Sequence, residues 1–152
     1  MGVENNSIEQ NTNGATSEHV EALLEAARYG DIEDVISLAS SGVSLDSEDS
    51  MGRRALHMAA ANGHLNVVEY LISKRVDLNA CNAENNTPLH WACLNGQIEV
   101  VKKLILLGAN VSALNSHDRT PMDEAVTQGK MPVIDAINEA AAEMELTNVT
   151  VS

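Results

Sequence analysis

The sequence predicts an all-α solenoid of four helix-turn-helix repeats joined by short hairpin turns. The first observation behind this is a spacing of 33: Gly30, Gly63, Gly96 and Gly129 fall at that step, as do Leu23, Leu56, Leu89 and Met122. Val35, Val68, Val101 and Ile134 form a third column, and Leu38, Leu71, Leu104 and Ile137 a fourth. Independent columns at one step mean copies of one unit, each too small to bury its own apolar face. The second is the palette. The chain is 44% hydrophobic yet has no Phe, one Trp and two Tyr, so its apolar content is mostly small and aliphatic. That suits close helix-on-helix packing.

The third observation is the punctuation within each copy, clearest in the third. Asn85-Asn86 is turn chemistry, because Asn tolerates the left-handed backbone. Thr87 caps a helix that has Pro88 at its first position, where a missing N–H costs nothing. LHWACLN is then a short helix, broken at Gly96. IEVVKKLILLG carries Ile98, Val101, Leu104 and Ile105 on one helical stripe, and Gly108 stops it. In the second copy Arg75 occupies the stop position held elsewhere by Gly42 and Gly108. A left-handed backbone is expected there.

TPLHWACLNGQIEVVKKLILLGAN resembles an ankyrin repeat. RRALHMAAANGHLNVVEYLISKRVDLNA is a second good copy, RTPMDEAVTQGKMPVIDAIN a looser one, and EALLEAARYGDIEDVISLASSGVSLD, without the TPLH start, reads as the first, capping copy. The expected organisation is a disordered acidic and polar tail over 1–16 and a repeat domain over 17–141, with repeats at about 17–48, 49–81, 82–114 and 115–141. A poorly ordered C-terminal tail over 142–152 follows.

The near-duplicates LHMAAANGH (56–64) and LHWACLNGQ (89–97) raise the question of metal or catalytic histidines. The resemblance implies structural ones: His57 and His90 would bond turn backbone and the neighbouring repeat. His64 gives way to Gln97 in the next copy, which a ligand set would not tolerate. Trp91 is read as packing. Cys93 shares a column with Ala27, Ala60 and Val126 and is expected buried; Cys81, at a repeat junction, is expected exposed. No GxxxxGK[ST], HExxH, GxSxG or GxGxxG occurs. Asp123-Glu124 replace the histidine region of the last copy, and a solvated capping face is expected there. No enzyme, cofactor or metal is expected.

Two cysteines make no disulfide framework and imply a reducing compartment. No apolar run reaches membrane-spanning length, and MGVENNSIEQ has neither leader character nor the Ser or Thr a myristoylation signal needs at Asn6. A cytoplasmic and nuclear monomer is expected. The formal charge is −13, and residues 1–49 hold eleven acids against Arg28 alone. Such a field repels nucleic acid, and the basic doublets Arg53-Arg54, Lys74-Arg75 and Lys102-Lys103 are isolated. A basic protein partner is favoured.

In ankyrin proteins, partners usually bind the face made by hairpin tips and first helices. Carried over by column, the resemblance implies partner-binding roles for Tyr29, Glu48, Asp49, Met51, Asn62, Glu84, Asn86, Leu94 and Asn95, with Arg28, Arg53, Ala61, His117 and Arg119 nearby. The order of an acidic AARYGDIEDV, LHMAAANGH, LHWACLNG and a degenerate DEAVTQGK is similar to small fungal ankyrin-repeat chaperones dedicated to one ribosomal protein. That implies a basic, KH-domain-containing client of the small subunit and a role in ribosome biogenesis. An adaptor or regulator docking on a signalling or transcription partner is the alternative.

Overall fold

The computed structural model describes residues 16–151; the N-terminal tail expected over 1–16 thus lies, Thr16 apart, outside the described residues. Eight helices occur among them: α1 Ser17–Arg28, α2 Ile32–Ser40, α3 Ala55–Ala61, α4 Leu65–Ser73, α5 Pro88–Leu94, α6 Ile98–Leu106, α7 Pro121–Thr127 and α8 Met131–Val151. The odd-numbered helices pack side by side as one layer and the even-numbered ones as a second. The core between them is aliphatic. Leu23, Leu71, Leu89 and Leu104, with Val35, Val67, Val68, Val100, Val101 and Val133, are its largest fully buried apolar side chains.

The ends of the helices follow from the punctuation. Thr87 Oγ1 accepts the His90 backbone N–H at 3.3 Å, and Thr120 Oγ1 that of Asp123 at 3.1 Å. Each satisfies one orphan donor of a seven-residue helix. α4 ends in a left-handed residue, Arg75 at φ 68°, as expected from its column. The Arg75 N–H then reaches Ile72 O and the Val76 N–H reaches Leu71 O, closing the last turn.

Consecutive repeats are stitched by backbone and short polar side chains. Hairpin tips bond to one another, Ala83 N–H to Met51 O and Ser116 N–H to Glu84 O, both at 2.9 Å. Lower in the stack the Asp46 carboxylate accepts the Asp77 N–H at 3.3 Å. Asn79 Oδ1 accepts the Asn110 N–H at 2.8 Å. Among the described residues the only extended pairing is one isolated bridge, Glu48 with Arg54. The fold is an all-α repeat solenoid.

The C-terminal segment departs from expectation. In place of a tail from residue 142, α8 runs 21 residues to Val151. Its buried stripe of Val133, Ala136, Ile137 and Ala140 holds it on α6. Beyond Ala140, AAEMEL is composed of strong helix formers, and no Gly or Pro follows Pro132, so nothing local stops it. Expecting a tail equated the end of the repeat columns with the end of the helix.

Candidate protein-interaction surface

The histidines are part of the frame. His57 Nδ1 accepts the Arg54 N–H at 3.2 Å, so the proton sits on Nε2, which donates to Asn86 O at 2.8 Å, 29 residues away. His90 repeats this, with Nδ1 against the Thr87 N–H and Nε2 donating to Arg119 O at 2.9 Å. Both rings are fully buried, and burial pushes both pKa values below the ordinary histidine value, against the raising effect of the carbonyls they bond. The edge of the Trp91 ring meets His57 at 5.4 Å between centroids.

The exchange of histidine for glutamine also has a reason. His64 Nε2 donates to Arg28 O at 2.8 Å and Gln97 Nε2 to Ala61 O at 3.0 Å. One donor of the right reach is all the position needs. A Cβ on Gly30 or Gly63 would collide with these side chains, and both glycines have positive φ. The shared AAANGH and ACLNGQ patterns are therefore repeat-to-repeat contacts.

The last repeat shows the same logic by omission. Asp123 stands where His57 and His90 stand, and its Oδ2 accepts the Thr120 N–H at 2.9 Å. It copies the Nδ1 half of the histidine's work. The Nε2 half needs a following repeat, and among the described residues the last element is α8. Glu124 corrects the expected solvated cap. It is only 8% exposed, accepting from Asn115 Nδ2 at 2.7 Å with Arg119 Nη1 at 3.6 Å. Cys93 is buried, which pushes its thiol up to about 12, and Cys81 is exposed. Val126, expected to share the burial of Cys93, is 57% exposed.

The nine candidate partner-binding residues divide by what else they do. Asp49, Asn82 and Asn115 each organise a hairpin through N–H groups two and four residues on. Burial raises the Asp49 pKa, but the Arg53 N–H and guanidinium, with the Met51 N–H, outweigh it and hold the carboxyl below its ordinary range. Asn86 is likewise committed, its Oδ1 accepting from Asn115 Nδ2 at 2.9 Å. Asn62 Nδ2 returns to Met58 O at 2.8 Å. Tyr29 and Met51 are 67% and 56% exposed; Glu48, Glu84 and Asn95 are exposed and Leu94 half-buried. Tyr29, Asn62 and Asn95 cap the C-termini of α1, α3 and α5, one per repeat along the first-helix layer.

Three grooves meet around α1. One, of about 300 Å³, lies between the start of α1 and the first hairpin, lined by Val20, Glu21, Glu48, Asp49 and Arg53 among others. A second, of about 140 Å³, has Leu24 and Met58 with Glu21, Glu25, Arg28, Asp49 and Arg53. The third, of about 560 Å³, covers the outer end of the stack and is lined by Glu18, Glu21, Ala22, Glu25, Ala26, Tyr29, Asp31 and Asp34. There the charge of Asp34 pushes the Asp31 pKa up. Of the nine candidates, Glu48 and Asp49 meet in the first groove and Tyr29 lies in the third. Leu24 and Met58 were not singled out, and the end-face acids entered only as part of the acidic charge before residue 50. The legible signal was Asp34 in the column of Val67, Val100 and Val133.

Stacked helix pairs with stitched hairpins define a repeat scaffold whose working parts are surfaces. A family model for ankyrin repeats, in three copies, matches residues 4–82, 23–115 and 76–148. The chain belongs to the ankyrin-repeat family, whose domains are generally protein-binding modules rather than enzymes. No curated protein matches it.

Proposed function

We propose that this protein is a cytoplasmic and nuclear escort, binding as a monomer a basic small-subunit ribosomal protein and shielding it from RNA and aggregation until assembly. The observation that carries the reading is the concentration of acid around α1 and the first hairpin, where three grooves mix carboxylates with Leu24, Met58 and Tyr29. A ribosomal protein is basic wherever it meets RNA. A surface of opposite sign speeds encounter, and apolar anchors set how long the complex lasts.

The test mixes purified protein with a purified KH-domain-containing ribosomal protein of the small subunit, at low and high salt. The expected result is a one-to-one complex, a client kept soluble, and RNA competing for it. No complex at either salt concentration, with the client aggregating as it does alone, would overturn this reading in favour of the adaptor one.

A further inference from the structure

We propose that the N-terminal end face of the stack is the docking surface for a cationic amphipathic helix of the client, seated where a preceding repeat would pack. The inference rests on the escort reading and adds the face used and the form of the segment that fills it.

Columns identify the face. Val133 is 1% exposed in the last repeat, which among the described residues has a neighbouring repeat only on its preceding side. That column therefore looks toward the preceding repeat, and Val67 and Val100 are buried with it, at 0% and 1%. In the first repeat the same position is Asp34, exposed. The column of Ala55, Pro88 and Pro121, all buried, begins with Ala22, which is exposed. Asp31 begins the column in which His64 and Gln97 reach back to a preceding carbonyl. A complete stacking face is thus present, and among the described residues no preceding repeat packs on it.

Its chemistry selects the occupant. The groove over this face has carboxylates on both sides, Glu18, Glu21 and Glu25 from α1 and Asp31 and Asp34 from the start of α2. Ala22 and Ala26 line the same groove, and small residues let another helix approach closely, as Ala55 and Ala59 do inside the stack at 0% exposure. α1 is 12 residues long, about 18 Å, enough for three turns of a partner helix. The exposed Tyr29 ring offers a cation–π contact at one end. A polar cap would keep the end soluble without crowding Asp31 against Asp34. Lys or Arg on both flanks of an Ala/Leu seam relieves that crowding. A second copy of this chain does not fit, since it too carries −13 and its Lys102 and Lys103 already pair with Glu139 and Glu69.

The experiment measures binding of the purified KH-domain-containing ribosomal protein by calorimetry at low and high salt. It uses wild type, the end-face pairs Asp31→Lys/Asp34→Lys and Asp31→Asn/Asp34→Asn, and the rim pair Met51→Ala/Leu94→Ala. The Asn pair keeps side-chain size, so a loss there is not misfolding, and thermal melts check each variant. The Lys pair is expected to weaken binding at least tenfold at low salt, the Asn pair less, with both differences shrinking at high salt. Hydrogen exchange should slow over 18–29 in the complex. If the Lys pair binds within twofold of wild type while the rim pair loses the client, this inference fails and the escort reading stands. If wild type forms no complex, the escort reading fails and this inference with it.

Discussion

The two ends of the stack solve the same problem differently. Each inner repeat buries its neighbour-facing columns on both sides, whereas the end repeats have, among the described residues, a neighbouring repeat on one side only. At the N-terminal end the apolar column itself is rewritten: Asp34 replaces Val67, Val100 and Val133, and Asp31 replaces the back-reaching His64 and Gln97. At the C-terminal end the forward-facing column is left apolar, and Val126 is 57% exposed where Ala27, Ala60 and Cys93 are fully buried. What changes there is the frame, with Asp123 keeping one half of the histidine's work and α8 extending past the repeat columns. End repeats need polar outer faces for solubility. The N-terminal end goes beyond that need, in density of charge and in the groove it lines, and this is why the functional reading centres there.

The comparison is broken most severely from the middle. Leu104 is fully buried between repeats, while Leu38, its counterpart in the first repeat, is only partly buried. Leu104→Ala is expected to cost about 2–5 kcal/mol, because neighbours held on two sides cannot collapse into the gap. Leu38→Ala should cost clearly less. Urea unfolding of both decides whether stability is concentrated where repeats have two neighbours; equal losses would refute that.

Acid is expected to weaken the inner repeats through His57 and His90. Each Nδ1 must accept a backbone N–H, so protonation there sets two donors face to face. Both folded pKa values are depressed, chiefly by burial. The unfolded chain therefore binds more protons below about 6.5, and stability present above that pH falls as pH drops toward the folded values. Unfolding midpoints from pH 7.5 to 5 should decline for wild type and more gently for His90→Gln. A parallel decline in both would assign the acid sensitivity elsewhere. Asp49, held low by Arg53 and Met51, adds a further loss only at still lower pH.

How much was legible depends on whether a feature is periodic. Four columns at one spacing specify four helix pairs, the cap at Thr87 and the left-handed Arg75, because each belongs to a unit written several times. What was not legible breaks the period. Glu124 reads as solvated until Asn115 and Arg119 are seen around it, contacts nine and five residues away across a hairpin. The length of α8 depends on local propensity past the last column. Asp49 and Asn86 read as surface candidates because hairpin tips are exposed as a class, yet their side chains hold the hairpins together. The end-face acids were visible as charge but not as a face, since a column shows where a neighbour is missing only once burial is known.

Arg75→Gly tests a cost just past the end of α4. The second repeat's stop carries a side chain at φ 68°, where Gly42 and Gly108 stand in the first and third repeats. A left-handed backbone with a Cβ costs about 1 kcal/mol more than glycine, so the variant should be more stable by up to that amount. Chemical denaturation measures it. Loss of stability would show that the Arg75 side chain contributes more than its backbone costs.

The smallest effect expected is at Val111, and it bears directly on the C-terminal end. Its column begins with Leu45 and Leu78, both packed against the core, whereas Val111 is 41% exposed. Beside it lies an apolar cavity of about 130 Å³, lined by Leu89, Ile105, Val111, Pro121, Met122 and Ile137. The shorter side chain thus leaves unfilled space at the corresponding site between the third and fourth repeats. Val111→Leu adds one methylene to a site already open, without the overpacking that a filled core would meet. The expected gain is about 0.8 kcal/mol if the added group is fully buried. It should appear as a higher urea midpoint with unchanged slope, because the surface exposed on unfolding barely changes. The same change at Val43, already buried at 6% exposure near the opposite end, adds volume to a filled site and should be neutral or unfavourable. A gain at Val43 equal to that at Val111 would mean that added apolar volume stabilises the stack anywhere, and that the C-terminal end is no looser than the rest.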